Sequence, residues 1–309
     1  RPAIDYLFEW LGRSGIRRAV LALGRDNDDL AEAYPRGRRG DLEIVVVREK
    51  ERLESGGAIR NAVKAAGIEG RFAVLNGDVF VDFDFEAAVE AHDQAKAELT
   101  LALYHVDDPS SFGVAVLDER NMVKGFVEKP PPGTAPSHLV NAGVWIFEHH
   151  LVGEIPPGAV RVEETLFPSL VARGRPVLGY TFTGLWADIG TPARYLALNE
   201  ALMGYVGNLV VSSSARITDS AEVYLSSIGA DCVIGSEALV EGSVLWEGVR
   251  VGAGARVIHS VVADGVEIGE AALLENVVVG SGATIPEGVR VPPGTSIDAN
   301  ARYDARDER

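Results

Sequence analysis

"VIGSEALVEGSVLWEGVRVGAGARVIHSVV", residues Val233 to Val262, decides the architecture of the second half of this chain. Its large apolar residues fall in steps of six, six and five: Ile228, Ile234, Val240 and Leu245, then Val251, Val257 and Val262. One full unit is 17 residues long, so Ile228, Leu245, Val262 and Val279 share a phase. Small residues stand two places before many of these positions, as at Ala215, Cys232, Ala238, Ala255 and Ala283. Glycine follows several of them, as in Ile234-Gly235, Val251-Gly252, Ile268-Gly269 and Val279-Gly280, and is expected to make a tight turn there. One inward apolar side chain per hexad describes three short strands per coil of a triangular solenoid. Cys232 occupies a small-residue slot, so its expected role is packing.

Working outward, the pattern changes before residue 208. Ile4, Leu7, Phe8 and Leu11 lie on one face of a helix that Gly15 can end. "AVLALG" (Ala19–Gly24), "LEIVVV" (Leu42–Val47) and "FAVLNG" (Phe72–Gly77) read as buried strands. Ile59, Ala62, Val63 and Ala66 give a helix between the last two. Such alternation predicts a parallel, doubly wound sheet. From "LTLALYHV" onward strand segments follow closely, which predicts an antiparallel extension closed by the helix "PARYLALNEALMG". The expected organisation is an α/β domain over 1–205, a β-helix over 206–297 and a frayed polar tail over 298–309.

The 309 residues are 47% hydrophobic, enough for two cored domains. A net charge of −16 argues against duplex nucleic acid or an anionic membrane as partner. The sequence holds no uninterrupted apolar run of membrane length. A single cysteine makes no internal disulfide and no metal cluster, so a cytoplasmic setting is expected.

"LNGDVFVDFD" (Leu75–Asp84) ends an apolar run in Asn-Gly-Asp. In an open α/β sheet ligands bind beyond the strand ends, and Gly77 would let the backbone turn or approach a ligand. "LWADIGTP" (Leu185–Pro192) places a second acid, Asp188, after another strand-like run. Two carboxylates converging on one point suit Mg²⁺, which takes oxygen ligands and phosphate co-ligands. Asp78 and Asp188 are therefore the candidate metal ligands, with Asp82 and Asp84 read as solvated or capping. In "FVEKPPPG", Glu128 and Lys129 close a strand, and the lysine could neutralise a phosphate. In "LESGGAIRNA", Gly56-Gly57 opens a helix whose free N–H groups could meet a ligand. "PRGRRGD" (Pro35–Asp41) precedes a strand, and is read as a solvated turn at the wrong sheet edge for a phosphate site. His105 and His138 are read as ordinary polar residues.

Together with "DPSSFGVAVLD", "VNAGVWIFE" and "VEETLFPSL", these motifs resemble the sugar-1-phosphate nucleotidyltransferases, in layout the mannose-1-phosphate guanylyltransferases. The tail resembles the hexapeptide-repeat left-handed β-helix. The resemblance implies a Rossmann-like nucleotidyltransferase domain followed by that helix, acting on a nucleoside triphosphate and a sugar 1-phosphate. It implies Mg²⁺ on Asp78 and Asp188, and Lys129 on the sugar phosphate. Glu128, Asn141, Gly113, Glu163 and the backbone of Ala142 and Gly143 would face the sugar. Ser55, Gly56 and Gly57 would lie along the nucleobase, with Asn76 and Gly77 at the substrate side of Asp78. Members of that family open with a strand and a glycine-rich, cationic loop, whereas this sequence runs from Arg1-Pro2 into a helix. The expectation is a domain incomplete at its N-terminus, with little activity as it stands. Two rivals remain: a non-catalytic, nucleotide-sugar-sensing subunit, and an acyltransferase using His259. The open ends of a solenoid favour a homo-oligomer.

Overall fold

Leu7, Phe8, Trp10 and Leu11 form the buried stripe of helix α1 (Ala3–Arg13), which ends at Ser14 with Gly15 in the left-handed region. Trp10 donates from Nε1 to the Phe83 carbonyl, 3.0 Å away, tying α1 to the segment after Asp82. The computed structural model describes residues 2–25, 27–207 and 209–304. Its contacts divide the chain into two units, Arg1–Asp188 and Ile189–Arg309.

The first unit continues with β1 (Arg18–Leu23), α2 (Asp28–Ala33), β2 (Gly37–Arg39), β3 (Leu42–Arg48), α3 (Glu54–Ala66), β4 (Phe72–Leu75) and β5 (Val79–Asp82). Then come α4 (Phe85–Ala95), β6 (Leu99–His105), β7 (Gly113–Leu117), β8 (Val123–Glu128) and β9 (Leu139–Phe147). It closes with α5 (Leu166–Ala172), β10 (Val177–Thr181) and β11 (Leu185–Asp188), and α6 (Pro192–Val206) begins the second unit.

The sheet departs from the expected parallel one. β1 pairs parallel with β3, but β4 pairs antiparallel with β9, and in this unit the only other parallel pair among the described residues is β10 with β6. The strands form three separate sheets, β1-β3-β2, β11-β5, and the larger one built on β6, β7, β8, β9, β10 and β4. β9 accounts for this: its run from Val140 to Phe147 is buried except at Asn141, and β4 and β6 flank its second half. Among the described residues β1 has ladder partners only in β3, and β4 only in β9. Both strands are accordingly only partly buried, contrary to their apolar composition. "PRGRRGD" is also more than a turn. Gly37–Arg39 is an exposed edge strand paired antiparallel with β3, and Arg39 bridges to Asp5 and lies 4.4 Å over the Tyr34 ring.

The second unit is a parallel β-helix. Every inward position from Ile228 to Ile297 is buried, and each short strand pairs in register with the one a coil on, 17 residues away as for Ile228 with Leu245 and Leu245 with Val262, and 18 away in the last coil, where Val279 pairs with Ile297. Three ladders of left-handed residues make the corners. They are Leu225, Gly242, His259 and Asn276; Asp231, Gly248, Gly265 and Gly282; Glu237, Gly254, Ala271 and Gly288. A non-glycine residue there costs roughly 1–2 kcal/mol. The glycines following the apolar residues do something else. A Cβ on Gly235, Gly252, Gly269 or Gly280 would come within 2.4–2.8 Å of backbone in the next coil, so these positions permit stacking and do not make the turn. His259 belongs to a stacked corner. Cys232 is fully buried and its thiol donates to the Trp246 carbonyl at 2.8 Å; burial pushes its pKa up. The tail does not fray at Asp298: Tyr303 is buried and donates from its N–H to the Thr284 carbonyl, while residues 305–309 lie outside the described residues.

One side of the coil carries a polar column that the apolar pattern did not disclose. Ser226, Ser243 and Ser260 are buried, 17 residues apart. Each hydroxyl donates to the carbonyl two residues before it, 2.6–2.8 Å away. Each also accepts the N–H of the equivalent residue one coil on, at 3.0–3.1 Å. Removing the middle hydroxyl strands the buried N–H of Ser260, at a cost of about 1–3 kcal/mol. Ser243→Ala should lower stability by that amount in denaturant titration, while Ser236→Ala, at an exposed position, should stay within about 0.5 kcal/mol.

Candidate functional site

The two acids singled out in the sequence both lie at the same end of one strand pair. β5 runs antiparallel to β11, and the register sets Asp188 opposite Val79, the residue after Asp78. Val79, Phe80 and Val81 are buried, which anchors β5, while Asp78 in the turn before it is exposed and Asp188 is half-buried. Asp82 and Asp84 take other duties: Asp82 pairs with Arg13 at 3.3 Å, and Asp84 caps α4 by accepting the Ala87 N–H. Gly77 needs no special conformation. It lies outside the left-handed region, and a Cβ there would meet nothing within 4 Å.

Trp186, which sequence reading passed over, holds this strand pair in place. Its ring packs against Tyr104 and edge-on to Phe112, and its Nε1 donates to the Ala142 carbonyl at 2.9 Å. The Asn141–Gly143 stretch of β9 is thereby tied to β11. Gly143 has φ +74°, its carbonyl accepts the Asn76 N–H, and a Cβ on it would sit 2.8 Å from the Asn76 amide nitrogen. The Ala142 carbonyl and both Gly143 backbone groups already have partners, the Gly143 N–H donating to Asn141 Oδ1. Asn141 Oδ1 also accepts from Trp145, so what the stretch still offers a ligand is the Asn141 amide N–H₂.

Lys129 follows β8, is exposed, and has φ +46°. Its N–H donates to the Phe112 carbonyl, so the lysine joins the same chain of contacts that runs through Phe112 and Trp186 to β11. Next to it, Gly113 stands opposite Glu128 across β7 and β8. A Cβ on Gly113 would lie 2.7 Å from the Glu128 carboxylate, so the glycine makes room for that acid. Burial pushes the Glu128 pKa up, the Glu163 charge adds to this, and Arg161, 3.7 Å away, partly opposes it.

Glu163 is almost fully buried and accepts a 2.6 Å hydrogen bond from Ser55. The double glycine beside Ser55 serves packing. The Gly56 N–H is not free, because it donates to the Val160 carbonyl at 2.8 Å. A Cβ on Gly57 would lie 2.6 Å from the Gly158 carbonyl. Two concavities of about 600 and 630 Å³ open elsewhere on this unit, one along Arg60, Lys64 and His149, the other along Asp5, Arg13 and Arg39. Neither is lined by Asp78, Lys129 or Asp188. No group of three or more His, Cys, Asp or Glu able to hold a metal occurs among the described residues.

Comparison with known proteins completes the picture. The Nucleotidyl transferase family matches residues 1–204. The chain is a member of that family. In this nucleotidyltransferase the EIF2B subunit epsilon LbH domain family matches residues 203–298, over the coil. Mannose-1-phosphate guanylyltransferase of Mycobacterium tuberculosis is 31% identical over 266 residues, 82% of this chain and 73% of the relative. A putative mannose-1-phosphate guanyltransferase of Sulfolobus acidocaldarius is 28% identical over 79% of this chain and 67% of its own length. A UTP–glucose-1-phosphate uridylyltransferase of Synechocystis is 26% identical over 82% of this chain and 76% of its own length. The crystal structure of HddC from Yersinia pseudotuberculosis complexed with GMP-PN superposes with a TM-score of 0.56 at 26% identity. It covers 65% of this chain and 86% of that one.

The raised Glu128 pKa has a definite sign. The folded state holds the proton more tightly than the unfolded chain, so ionisation costs stability as pH rises from the ordinary glutamate value of about 4.5 through the folded value. Glu128→Gln should therefore melt higher than the parent protein at pH 7, with the difference shrinking below pH 4.5 in thermal scans across that range.

Proposed function

We propose that this nucleotidyltransferase is a mannose-1-phosphate guanylyltransferase, joining mannose 1-phosphate to the guanylyl group of GTP with release of pyrophosphate. The observation that carries the reading is the register of Asp188 with Val79 beside Asp78. The choice of base and sugar is supported by the names of the Mycobacterium and Sulfolobus relatives and by GMP-PN in the HddC complex.

The attacking oxygen of a sugar 1-phosphate is already anionic at neutral pH, so the reaction needs no general base. It needs the two polyanions brought together and their charge offset. Lys129, exposed and without an ion pair among the described residues, receives the sugar phosphate. Asp78 and Asp188 are the carboxylates that would hold Mg²⁺, and a cation bound there would supply charge neutralisation for the phosphates. Glu128, Glu163 and the Asn141 amide meet the sugar hydroxyls, with Gly113 leaving room beside Glu128. Asn76 and Gly77 carry Asp78, and Gly56 and Gly57 at the α3 entry lie toward the nucleotide. No helix among the described residues is long and apolar enough to cross a membrane. With its one thiol buried, the chain suits a reducing cytoplasm.

Asp78→Asn and Asp188→Asn in the full-length protein should each cut pyrophosphate release from GTP and mannose 1-phosphate by at least about 100-fold, with circular dichroism unchanged. Parent-like rates in either variant, or a preference for UTP with glucose 1-phosphate, would reject the respective part of the proposal. We further propose a homo-oligomer. The first coil strand, Leu209–Val211, is exposed and apolar, as are Tyr224 and Trp246. Light scattering coupled to gel filtration should give a mass of at least twice 32.9 kDa.

A further inference from the structure

We infer that Ser55 is a positioning residue for the sugar-phosphate side of the reaction, acting through Glu163, and does not serve by contacting the nucleobase. This rests on the function proposed above and concerns how one of its two substrates is held.

The hydroxyl of Ser55 spends its one donor inside the protein. It donates to Glu163 Oε2 at 2.6 Å and accepts the Val162 N–H at 3.1 Å. The backbone around it is clamped as well: Gly56 donates to the Val160 carbonyl at 2.8 Å, and Val160 donates back to the Leu53 carbonyl at 3.2 Å. Gly56 and Gly57 allow this approach, because a Cβ on either would lie within 3.0 Å of the 158–160 backbone. The first turn of α3 and the 160–163 segment are thus one fixed piece, and Ser55 is its only side-chain bond to Glu163 among the described residues.

Glu163 is 8% exposed, and Ser55 takes only one of its carboxylate oxygens. The other, Oε1, accepts no hydrogen bond among the described residues and is the oxygen left for a sugar hydroxyl. Glu163 also acts on Glu128, whose pKa its charge helps to raise. A carboxylate held by one short charge-assisted bond can turn to another rotamer once that bond goes. The change is felt where the two acids work, on the sugar.

The test measures each substrate separately on the full-length protein by titration calorimetry, mannose 1-phosphate in one cell and GTP in another, and then the steady-state KM for each. Ser55→Ala should weaken mannose 1-phosphate about tenfold in Kd and KM, in line with the loss of a hydrogen bond to a charged group. GTP binding should change by less than about twofold, and Ser55→Thr, which keeps the hydroxyl, should restore the sugar phosphate. Glu163→Ala should match Ser55→Ala, and the double variant should add no further loss, because both changes cut one link. If Ser55→Ala weakens GTP selectively, or leaves both ligands untouched, the inference falls while the functional reading stands. If the parent protein binds neither ligand, the functional reading falls and takes this inference with it. A melting temperature within about 2 °C of the parent excludes general loosening of the fold.

Discussion

The pairing of β5 with β11 is the constraint on which the site depends. A two-stranded antiparallel ribbon is marginal by itself in water. Here the ribbon is secured from both sides: Val79, Phe80 and Val81 are buried, and Trp186 is fixed by two aromatic neighbours and a hydrogen bond to Ala142. Because side chains alternate along a strand, the register that sinks Trp186 into this packing also settles the face on which Asp188 emerges. A slip of one residue would turn Trp186 and Asp188 together to the other face.

Glycine illustrates how one letter serves different physical ends. In the coil, left-handed corners are occupied by Gly248, Gly265 and Gly282 but also by Leu225, His259 and Glu237. Glycine's freedom of φ is therefore useful at corners without being obligatory. At Gly235, Gly252 and Gly269 the backbone of the adjoining coil leaves no volume for a Cβ. The same steric reason operates at Gly57, against the Gly158 carbonyl and Leu53, and at Gly113, against the Phe126 ring and the Glu128 carboxylate. Reading such residues as turn makers or as ligand approaches misplaces their function, since what they accommodate lies far along the chain.

The proposed sugar side is a set of acids managed by neighbours. Burial and the Glu163 charge raise the cost of charging Glu128, Arg161 stands beside Glu128, and a serine hydroxyl donates to Glu163. Arg161 also pairs with Glu164, so one guanidinium ties two carboxylates on separate segments. The backbone of the Asn-Ala-Gly stretch contributes geometry and not contacts: its hydrogen-bonding groups are spent fixing Asn76 and Trp186. What it leaves exposed to a ligand is a side-chain amide.

The amino-acid order by itself determined the coil. A period of 17 with steps of six, six and five contains its own geometry, because each repeat touches only the next. It also raised Asp78 and Asp188 as candidates, since each follows a strand-like run and precedes a turn or helix. Even there the serine column at 226, 243 and 260 went unseen, because a search for apolar phase does not register a buried hydroxyl whose partners lie in adjacent coils. Strand partners in the first unit were not legible: "FAVLNG" carries no mark that it will run antiparallel to residues 144–147, and β1 and β4 look buried by composition alone. Tertiary structure alone decided which backbone groups stay free, that Trp186 anchors the acids, and that Ser55 faces Glu163. Those outcomes depend on contacts between residues about 40 to 110 positions apart, and local propensity is blind at that range.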